Sequence, residues 1–383
     1  MRNTISLYKK NGDIFRNTRK PVQSARHLPG DVYTSPEVLE LERDCLFMRH
    51  WLCVGREEEL TNVGDYLTLR VLGEPVLVVR KDPQTIAAYS NVCRHRGVEV
   101  ASGNGNAQSF VCPYHAWTYS LDGQLESAPL MRHSDLNREL CRLPQLRVGT
   151  WRGTVFVNFD PKAPSLEEWM QPFEQTFGFL QPDRCALADK LVIDLDCNWK
   201  FVNENLMDLY HVGTLHADTF GSFFKGEKDR YQYELMPGGA FGVFPQAAPL
   251  SEDGRSLFGK MEWLSEHDET FCANGFLPPN MNLTARCDSV RLWVAWPQSV
   301  DKTQAISYTL IPPDRFEAPE FRANIQKVNQ LLRRIVEEDR SMIQSLQVGV
   351  QSRYYEAGPL SRLELPIHHV LNSYLDKMLG DSQ

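Results

Sequence analysis

The chain contains 383 residues, 42% of them hydrophobic, and has a formal net charge of −8. This composition is typical of a soluble globular protein, and the length allows two or three domains. The excess of acidic residues argues against a nucleic-acid or anionic-membrane partner, because recognition of either needs a basic surface.

The sequence shows neither a membrane segment nor a secretory signal. Its apolar runs stay below the roughly 20 residues of a membrane span, and the opening segment MRNTISLYKKNGDIF has no apolar core followed by a cleavage site. The nine cysteines are widely spread and odd in number. They fit a reducing compartment, with some thiolates on a metal, better than a disulfide framework. We therefore expect a cytoplasmic protein.

The first part of the chain with a clear periodic pattern is predicted to be a helix followed by a small β domain. Residues 1–34 carry little periodic signal, but Ser35-Pro36-Glu37 has the cap, proline and acidic residue of a helix start. From Asp65 the pattern changes to short β-branched runs between turns, and Asp122-Gly123 is a strong hairpin signal. Residues 45–160 are therefore predicted to be an all-β domain of antiparallel hairpins.

The second part of the chain is predicted to be α+β. Asp160-Pro161 marks the boundary, and Ser165-x-x-Glu168 forms a capping box before an apolar helix. Three strand-like runs and one long helix follow, at 191–195, 290–296, 305–311 and 317–350. We expect residues 161–383 to form an antiparallel sheet with long helices, and residues 1–44 to pack back on this domain.

The strongest chemical signal lies in the β domain, where two loops each offer one thiolate and one imidazole. Cys93 and His95 belong to NVCRHRG, and Cys112 and His115 belong to CPYHAW. A zinc finger pairs two cysteines on one loop and two histidines on the other. The alternation seen here suits a [2Fe–2S] cluster with two cysteines on one iron and two histidines on the other, which is the Rieske arrangement.

Two other roles of these four residues stay open. They could bind a structural zinc ion, or they could be unrelated polar loop residues. Gly97 after the first pair and Pro113 within the second pair favour the cluster, because they would let backbone amides approach its sulfurs.

A second candidate metal site lies in the stretch NWKFVNENLMDLYHVGTLHADTF. On an ideal helix His211 and His216 would be about 140° out of phase, and Gly213 between them could bend the helix and bring them together. Two imidazoles and one carboxylate form the facial triad of non-haem Fe(II) oxygenases. Asp208 is expected to hydrogen-bond the ring nitrogen of His211 that faces away from the metal.

The third ligand is expected on the long C-terminal helix. Asp339 lies on the apolar stripe of that helix, where a carboxylate is unfavourable unless it is paired or bound to a metal. Glu337 and Glu338 are expected to point elsewhere. A buried ion pair between Asp339 and an arginine is the alternative role.

Together these motifs resemble the α subunit of the Rieske non-haem iron oxygenases, which include the aromatic ring-hydroxylating oxygenases. The resemblance rests on Cys-x-His-x16-Cys-x2-His and Asp-x2-His-x4-His, with Asn-Trp-Lys and Glu-Asn upstream of the second motif, and it covers essentially the whole chain. It implies an N-terminal all-β Rieske [2Fe–2S] domain. It also implies a C-terminal catalytic domain of the helix-grip (START-like) type, with an antiparallel sheet and helices.

The resemblance also implies the metal ligands and the assembly. The implied cluster ligands are Cys93, His95, Cys112 and His115, and the implied ligands of a mononuclear Fe(II) are His211, His216 and Asp339. Asp208 matches the bridging carboxylate that links His115 of the partner subunit to His211, and Asn205 matches a polar residue near the iron. The family is trimeric because the two centres within one chain are too far apart for fast electron transfer. The chain resembles the shorter members, many of which are homotrimers without a small β subunit.

The implied activity is that of a terminal oxygenase, which uses O2 and electrons from NAD(P)H through a separate reductase, a ferredoxin or both. We favour mono- or dihydroxylation of an aromatic small molecule. The alternative is an oxidative N- or O-demethylase or monooxygenase acting on a methylamine or quaternary ammonium compound, held by cation–π contacts. Seven aromatic residues could line the pocket or belong to the core: Phe220, Phe223, Phe224, Phe241, Phe244, Trp293 and Trp296.

Two other classes of protein also contain one of these motifs or this fold. A pure electron-transfer Rieske protein needs only the β domain and leaves the two-histidine stretch unexplained. An iron-free binding protein of the same fold is expected to have a broken triad, and the triad is intact here. We therefore expect an oxygenase.

Overall fold

The computed structural model describes most of the chain, namely residues 12–132, 135–221, 232–244 and 249–380. The chain divides into two compact units. One unit is Phe47–Trp169, and the other combines the residues up to Leu46 with those from Met170 onward. Within the described ranges, no helix is both long and apolar enough to cross a membrane.

The unit Phe47–Trp169 is built from antiparallel strands. They are β1 (Leu52–Arg56), β2 (Asp65–Val71), β3 (Glu74–Arg80), β4 (Ile86–Ser90), β5 (Asn104–Asn106), β6 (Ser109–Val111), β7 (Thr118–Ser120), β8 (Leu125–Ser127), β9 (Gln145–Trp151) and β10 (Thr154–Asn158). One sheet has the order β1-β10-β9-β4-β3-β2-β5, and β6-β7-β8 form a second, smaller sheet. The all-β fold predicted for this part of the chain is confirmed.

The hydrophobic core of this unit extends to both candidate cluster loops. Its buried members are Leu77, Val79, Ala87, Tyr89, Cys93, Val100, Phe110, Cys112, Trp117, Tyr119, Leu125 and Leu143. The predicted turn between β7 and β8 passes through Gly123 with a φ of +76°. A Cβ atom there would lie 2.7 Å from the Tyr89 ring, so this turn requires glycine for both backbone and space.

The other unit is organised around an antiparallel sheet of seven described strands. They are β11 (Ala186–Leu195), β12 (Gln232–Met236), β13 (Gly239–Phe244), β14 (Cys272–Leu277), β15 (Met281–Arg286), β16 (Ser289–Ser299) and β17 (Lys302–Ile311), in the order β11-β17-β16-β15-β14-β13-β12. Both β13 and β14 contain glycines. In β14, Gly275 leaves room for the Phe177 ring, because a Cβ at this position would lie 2.1 Å from that ring.

Helices complete this second unit. In chain order they are α1 (Asp31–Thr34), α2 (Pro36–Glu42), α3 (Leu166–Phe177), α4 (Trp199–Met207), α5 (Val212–Leu215), α6 (Phe321–Gly349) and α7 (Leu365–Leu379); α3 spans the division between the units. Ser35 caps α2 by accepting from the Val38 N–H at 3.3 Å, as predicted. The capping box of α3 also forms, since Ser165 and Glu168 exchange bonds of 2.8 and 3.1 Å.

A buried ion pair links the N-terminal residues to α4 and α7. Lys200 Nζ lies 2.5 Å from Glu42 Oε1, and both side chains are almost fully buried. The carboxylate of Glu42 also accepts from the indole of Trp199 at 2.8 Å and from the hydroxyl of Tyr374 at 2.7 Å. Burial lowers the pKa of Lys200, and the Glu42 carboxylate opposes that shift.

The helices α4 and α6 frame the candidate iron site. α4 packs against the sheet at β14–β17 and against α6, which also contacts β11. Asn198 precedes α4 and caps its N-terminus, since its side chain accepts a hydrogen bond from the Lys200 N–H at 3.1 Å. The buried face of α6 includes Val328, Leu332, Ile335 and Ile343. The α+β fold predicted for this part of the chain is confirmed.

Candidate metal centres

The two cysteine–histidine motifs lie on loops that share one backbone pattern. In each loop the cysteine N–H donates to the carbonyl five residues later, at 2.8 Å for both Cys93 and Cys112. The residue four positions after the cysteine donates back to the cysteine carbonyl at 2.9 Å in the first loop and 3.0 Å in the second. These residues are Gly97 (φ +82°) and Ala116 (φ +56°). Gly97 could be identified from the sequence, whereas no sequence pattern indicated a positive φ at Ala116.

The side chains of the two loops meet as two pairs. Cys93 and Cys112 are buried, and burial and then the neighbouring Cys93 thiol raise the pKa of Cys112. The exposed rings of His95 and His115 have centroids 4.6 Å apart. The hydroxyl of Tyr119 lies 3.3 Å from the Cys93 Sγ. The structure therefore brings all four sequence-predicted cluster residues together.

This arrangement fits a [2Fe–2S] cluster better than a single zinc ion. Among the described residues, the loops offer no three donor atoms that lie within 4.8 Å of one another, as a single ion would need. A Rieske cluster divides its donors between two irons, so that only the members of each pair must be close.

The stretch with the two histidines is not one continuous helix. α4 ends at Met207, and Asp208 follows in an extended conformation with φ −79° and ψ 118°. His211 is the residue just before α5, and His216 is the residue just after it. The predicted bend at Gly213 is therefore wrong, because the break lies before His211 and Gly213 is inside α5.

Three donor atoms converge from α5 and α6. His211 Nε2 and His216 Nε2 are 3.2 Å apart, and Asp339 Oδ1 lies 3.1 Å from His216 Nε2 and 3.5 Å from His211 Nε2. Such spacings suit ligands at about 2.1 Å around one ion. Asp339 Oδ1 is buried and makes no well-directed hydrogen bond to any described residue. The donor set of two imidazoles and one carboxylate therefore fits a mononuclear Fe(II).

Carboxylates hold the ring nitrogens that face away from this site. His211 Nδ1 lies 2.9 Å from Asp208 Oδ2, which is the contact expected from the sequence. His216 Nδ1 lies 2.7 Å from Glu338 Oε2, and Thr219 Oγ1 donates to the same oxygen at 2.9 Å. These contacts leave each Nε2 free to face a metal.

The expectation that Glu338 points elsewhere is wrong. Residues 338 and 339 are about 100° apart on α6, and His216 reaches both through its two ring nitrogens. The neighbouring Glu337 does point away: its carboxylate is 64% exposed and pairs with Arg340 at 3.1 Å. The alternative of an arginine ion pair for Asp339 finds no support in the described residues, where both of its close ionic partners are histidines.

The electrostatics of the site favour a cation. Burial alone would lower the pKa of His211, but its hydrogen bond with Asp208 and the nearby carboxylate of Asp339 raise it to about 9. Burial acts to raise the pKa of Asp339, yet the two histidines hold it below its usual value. The two carboxylates therefore stabilise positive charge at this site, and a metal ion is one source of that charge.

The triad faces a cavity of about 160 Å³ between α4, α6 and the inner face of the sheet. Asn205 and Asp208 line it, as do Phe220, Phe244 and Trp293. Of the other four aromatic candidates, the two that the structure describes do not line this cavity. Phe241 packs on Phe177 with ring centroids 4.7 Å apart, Trp296 is buried away from the cavity, and Phe223 and Phe224 lie outside the described residues.

Two arginines of the sheet, Arg286 on β15 and Arg291 on β16, also line the cavity. The sequence analysis identified neither as a site residue. β15 was not predicted, and although β16 was, its apolar run does not show which face of the sheet borders the cavity.

A profile described as the ring-hydroxylating alpha subunit (catalytic domain) matches residues 182–380, more than half of the chain. The chain belongs to this family. A second profile, the Rieske [2Fe–2S] domain, matches residues 50–147. The family assignment, its [2Fe–2S] cluster and its mononuclear iron are therefore confirmed, while the assignment of individual ligands remains a proposal.

Among sequence relatives, the carnitine monooxygenase oxygenase subunit of Acinetobacter baumannii is 36% identical over 194 residues. That match covers 49% of this chain and 52% of the relative, so the chain spans about half the length of that protein. The glycine betaine monooxygenase oxygenase subunit of Pseudomonas aeruginosa is 24% identical over 416 residues, which is 99% of this chain and 96% of the relative.

Among solved structures, a quaternary ammonium Rieske monooxygenase superimposes with a TM-score of 0.77 over 96% of this chain and 97% of that chain. The two sequences are 24% identical. At that identity the likeness supports the fold alone, and it agrees with the two-domain architecture expected from the sequence.

Proposed function

We propose that this protein is the oxygenase component of a Rieske monooxygenase system that acts on a quaternary ammonium compound. The observation that carries the proposal is the triad of His211, His216 and Asp339, whose donor atoms face a cavity lined largely by apolar side chains. Relatives that oxidise carnitine and glycine betaine support this substrate class. They support our alternative better than the aromatic class that the sequence analysis favoured.

The roles of the residues follow from their positions. Cys93, His95, Cys112 and His115 would hold the cluster, and the triad would hold the iron. When bound, the cluster supplies electrons and the iron supplies O2 activation. Asp208 fixes the orientation of His211 through its 2.9 Å contact and is the group through which an electron from the partner subunit would arrive. Asn205 offers a polar group at the cavity wall.

The proposed reaction is a monooxygenation at a carbon attached to the quaternary nitrogen. One oxygen atom of O2 enters a C–H bond of that carbon, and the other leaves as water with two protons and two electrons from NAD(P)H. The hydroxylated product then breaks its C–N bond, releasing a tertiary amine, a carbonyl compound and one proton. If a methyl group is oxidised, the carbonyl compound is formaldehyde.

The partners belong to the same proposal. This chain would receive electrons from an NAD(P)H-dependent reductase, a ferredoxin or both, and would assemble as a homotrimer. A cytoplasmic location follows from the need for NAD(P)H. The aromatic lining by Phe220, Phe244 and Trp293 keeps hydroxylation of an aromatic compound as the second candidate.

The test is a single turnover of iron-loaded protein that has been reduced with dithionite and freed of excess reductant. Addition of O2 with glycine betaine, carnitine or γ-butyrobetaine should yield a tertiary amine and a carbonyl compound, both measured by mass spectrometry. Naphthalene and benzoate serve as aromatic comparisons. Hydroxylated aromatic product, with no amine released from any ammonium compound, would reverse the ranking of the two candidates.

The control is Asp339→Ala, which should keep the visible spectrum of the cluster but lose the mononuclear iron and all product. Iron retained at three atoms per chain in this variant would contradict the assignment of Asp339 as a ligand.

A further inference from the structure

The cavity contains a second group of charged residues, on the strands of the sheet that line it. In the strand register Thr284 of β15 pairs with Arg291 of β16, and Thr284 also pairs with Asn274 of β14. Paired residues share a face of a sheet, and alternate residues along a strand do so as well. Arg286 therefore lies on the same inner face as Arg291, and both line the cavity.

The two guanidinium groups retain hydrogen-bond donors without partners among the described residues. Arg291 is only 7% exposed; its Nε donates to Thr309 Oγ1 at 3.3 Å, while its Nη2 is buried without an acceptor. Arg286 Nη1 is also buried without an acceptor, and this guanidinium lies 5.7 Å from the centre of the Phe220 ring. Buried donors, charged ones above all, are almost always satisfied.

The acidic residues near this pair are used elsewhere. Asp288 accepts from Ser256 Oγ at 2.8 Å and from the Leu257 N–H at 3.2 Å. Asp189 is on β11, and its partner Thr309 on β17 separates it from Arg291. In the described parts of the chain, neither guanidinium has a carboxylate within 4.0 Å. Burial and then the neighbouring Arg286 lower the pKa of Arg291 to about 10, so the group stays charged at neutral pH.

The remaining charged residues that line the cavity have partners of their own. Asp208 and Asp339 are held by the histidines of the triad. Arg340 lines the cavity but pairs with Glu337 at 3.1 Å and donates to the Asp194 carbonyl at 2.9 Å. The carboxylates that line the cavity thus have partners at the triad, whereas the two guanidinium groups on the sheet keep unpartnered donors.

We propose that Arg286 and Arg291 bind the carboxylate of the substrate. This inference rests on the proposed function and narrows it: the substrate is an amino-acid-like zwitterion with its carboxylate at the arginines and its methylated nitrogen towards the triad. A carboxylate accepts several N–H groups at once and matches the planar guanidinium fork. A neutral arene would leave these donors unsatisfied, and a cation without a carboxylate would meet two positive charges.

The aromatic residues suit the other half of such a molecule. Phe244 and Trp293 line the cavity with the triad and the arginines, and Trp293 is two residues from Arg291 on the same strand face. Aromatic faces attract a trimethylammonium group by cation–π interaction, while its methyl groups gain apolar contact. The same cavity can therefore hold both charges of a zwitterion.

Four matched probes separate the two charges by titration calorimetry of the iron-loaded protein under nitrogen. Glycine betaine carries both charges, choline lacks the carboxylate, 3,3-dimethylbutanoate lacks the ammonium charge, and 3,3-dimethylbutanol lacks both. We expect glycine betaine to bind at least tenfold tighter than choline. Equal binding of these two would overturn the carboxylate proposal while leaving an ammonium substrate in place. Equal binding of glycine betaine and 3,3-dimethylbutanoate would instead overturn the ammonium substrate and keep the arginine site.

Variants then test the residues. Arg291→Gln and Arg286→Gln should each weaken glycine betaine by roughly 10- to 100-fold, the usual effect of a lost charged hydrogen bond, and should leave choline unchanged or slightly tighter. Arg291→Lys should recover part of the loss. Arg333→Gln is the matched control, because it removes a positive charge from an exposed position of α6 in the same unit. An unchanged affinity for glycine betaine in both glutamine variants would overturn the assignment.

Thermal unfolding of the ligand-free variants separates binding from a structural role. Because the guanidinium of Arg291 is buried with an unpartnered donor, Arg291→Gln should leave the midpoint unchanged or raise it, and should remove the shift that glycine betaine produces in the parent protein. A clearly lowered midpoint with the ligand-induced shift retained would show that Arg291 is a structural residue.

Discussion

At the scale of single residues, the candidate iron site depends on groups that would not touch the metal. Each histidine presents Nε2 to the site because a carboxylate holds its Nδ1: Asp208 for His211 and Glu338 for His216. Loss of such a partner usually lowers metal affinity by about 10- to 100-fold. Glu338, which no motif indicated, is therefore as important to the site as Asp208.

We expect Glu338→Ala to lose mononuclear iron more readily than the parent protein, because His216 would be free to rotate or change tautomer. The measurement is iron retained after dialysis against a chelator, with the cluster absorbance recorded in parallel. Glu337→Ala is the control, since this neighbour on α6 is 64% exposed and faces Arg340. Equal iron loss in the two variants would contradict the role given to Glu338.

A second residue-scale prediction concerns the carboxyl of Glu204 on α4. Burial raises its pKa from 4.5 to about 7, against the opposing effects of His27, the Tyr33 hydroxyl and Lys200; Tyr33 donates to it at 3.0 Å. A folded-state pKa above the unfolded value means that the folded protein binds the proton more tightly. The contribution of Glu204 to stability is therefore greatest below about pH 4.5 and is lost as the pH rises to 7.

Glu204→Gln cannot ionise and should escape this loss. We expect it to be more stable than the parent protein by about 3 kcal/mol at pH 8 and by less than about 1 kcal/mol at pH 5. Urea unfolding at the two pH values measures the effect. A Glu204→Gln stability difference that is the same at both pH values would refute the argument.

The sequence revealed residues whose chemistry repeats at a fixed spacing. Cys93 to His95 and Cys112 to His115 could be recognised locally, and so could His211 and His216. Asp339 followed from a carboxylate on an apolar stripe. Glu338 and Arg291 could not be found in this way, because their significance depends on a partner more than 100 residues away or on the register of a strand that was not predicted.

At the scale of elements, the beginning of α4 depends on the N-terminal residues. Lys200 in the first turn of α4 meets Glu42 at the end of α2, and α7 closes the group through Tyr374. The Nζ atom also lies 5.5 Å from the Tyr33 ring centre and 5.3 Å from that of Trp199. The first turn of α4, the helix that precedes Asp208, is thus stabilised by a buried ion pair with aromatic rings around it.

We expect Lys200→Met to destabilise the protein by about 3–5 kcal/mol, because it leaves the buried carboxylate of Glu42 without its cation. The double variant Glu42→Gln, Lys200→Met should recover much of that loss, since neither charge then remains. Denaturant unfolding of the two single variants and the double variant measures the coupling. Strict additivity of the two single effects would contradict a paired interaction.

Helices and strands were predicted well where the hydrophobic periodicity and the capping residues indicated the same element. Ser35 and Ser165 cap helices as expected, and β16, β17 and α6 lie where apolar patterns placed them. α2 ends at Glu42, where a π-helical turn follows at Arg43–Phe47. β13 and β14 were missed because the glycines that admit neighbouring rings also break the pattern of a strand.

At the scale of the whole molecule, the proposed homotrimer makes each iron depend on the cluster of another copy. The related quaternary ammonium Rieske monooxygenase is described with inter-subunit electron transfer. In this protein the receiving group would be Asp208, which lies beside His211 and is about one-fifth exposed. The resemblance could supply this arrangement; composition and periodicity could not, because they contain no information about a second chain.

Mixed trimers give the test. Cys112→Ser should lack the cluster and His211→Ala should lack the iron, so that each alone is inactive. Co-expressed in equal amounts with different tags, they should regain roughly a quarter of the parent activity, the share of interfaces that pair an intact cluster with an intact iron site. Doubly tagged trimers that contain both metals but remain inactive would show that electrons do not pass between subunits.

The matching backbones of the two cluster loops have a consequence for the cluster-free protein. Each loop closes its own hydrogen-bonded ring, from the cysteine to the residues four and five positions later, without help from the other loop. These bonds involve only backbone atoms within one loop, so we expect each loop to keep its turn when the cluster is removed. Hydrogen exchange of the Cys93, Gly97, Cys112 and Ala116 amides in the cluster-free protein would measure this, and rapid exchange at all four would contradict it.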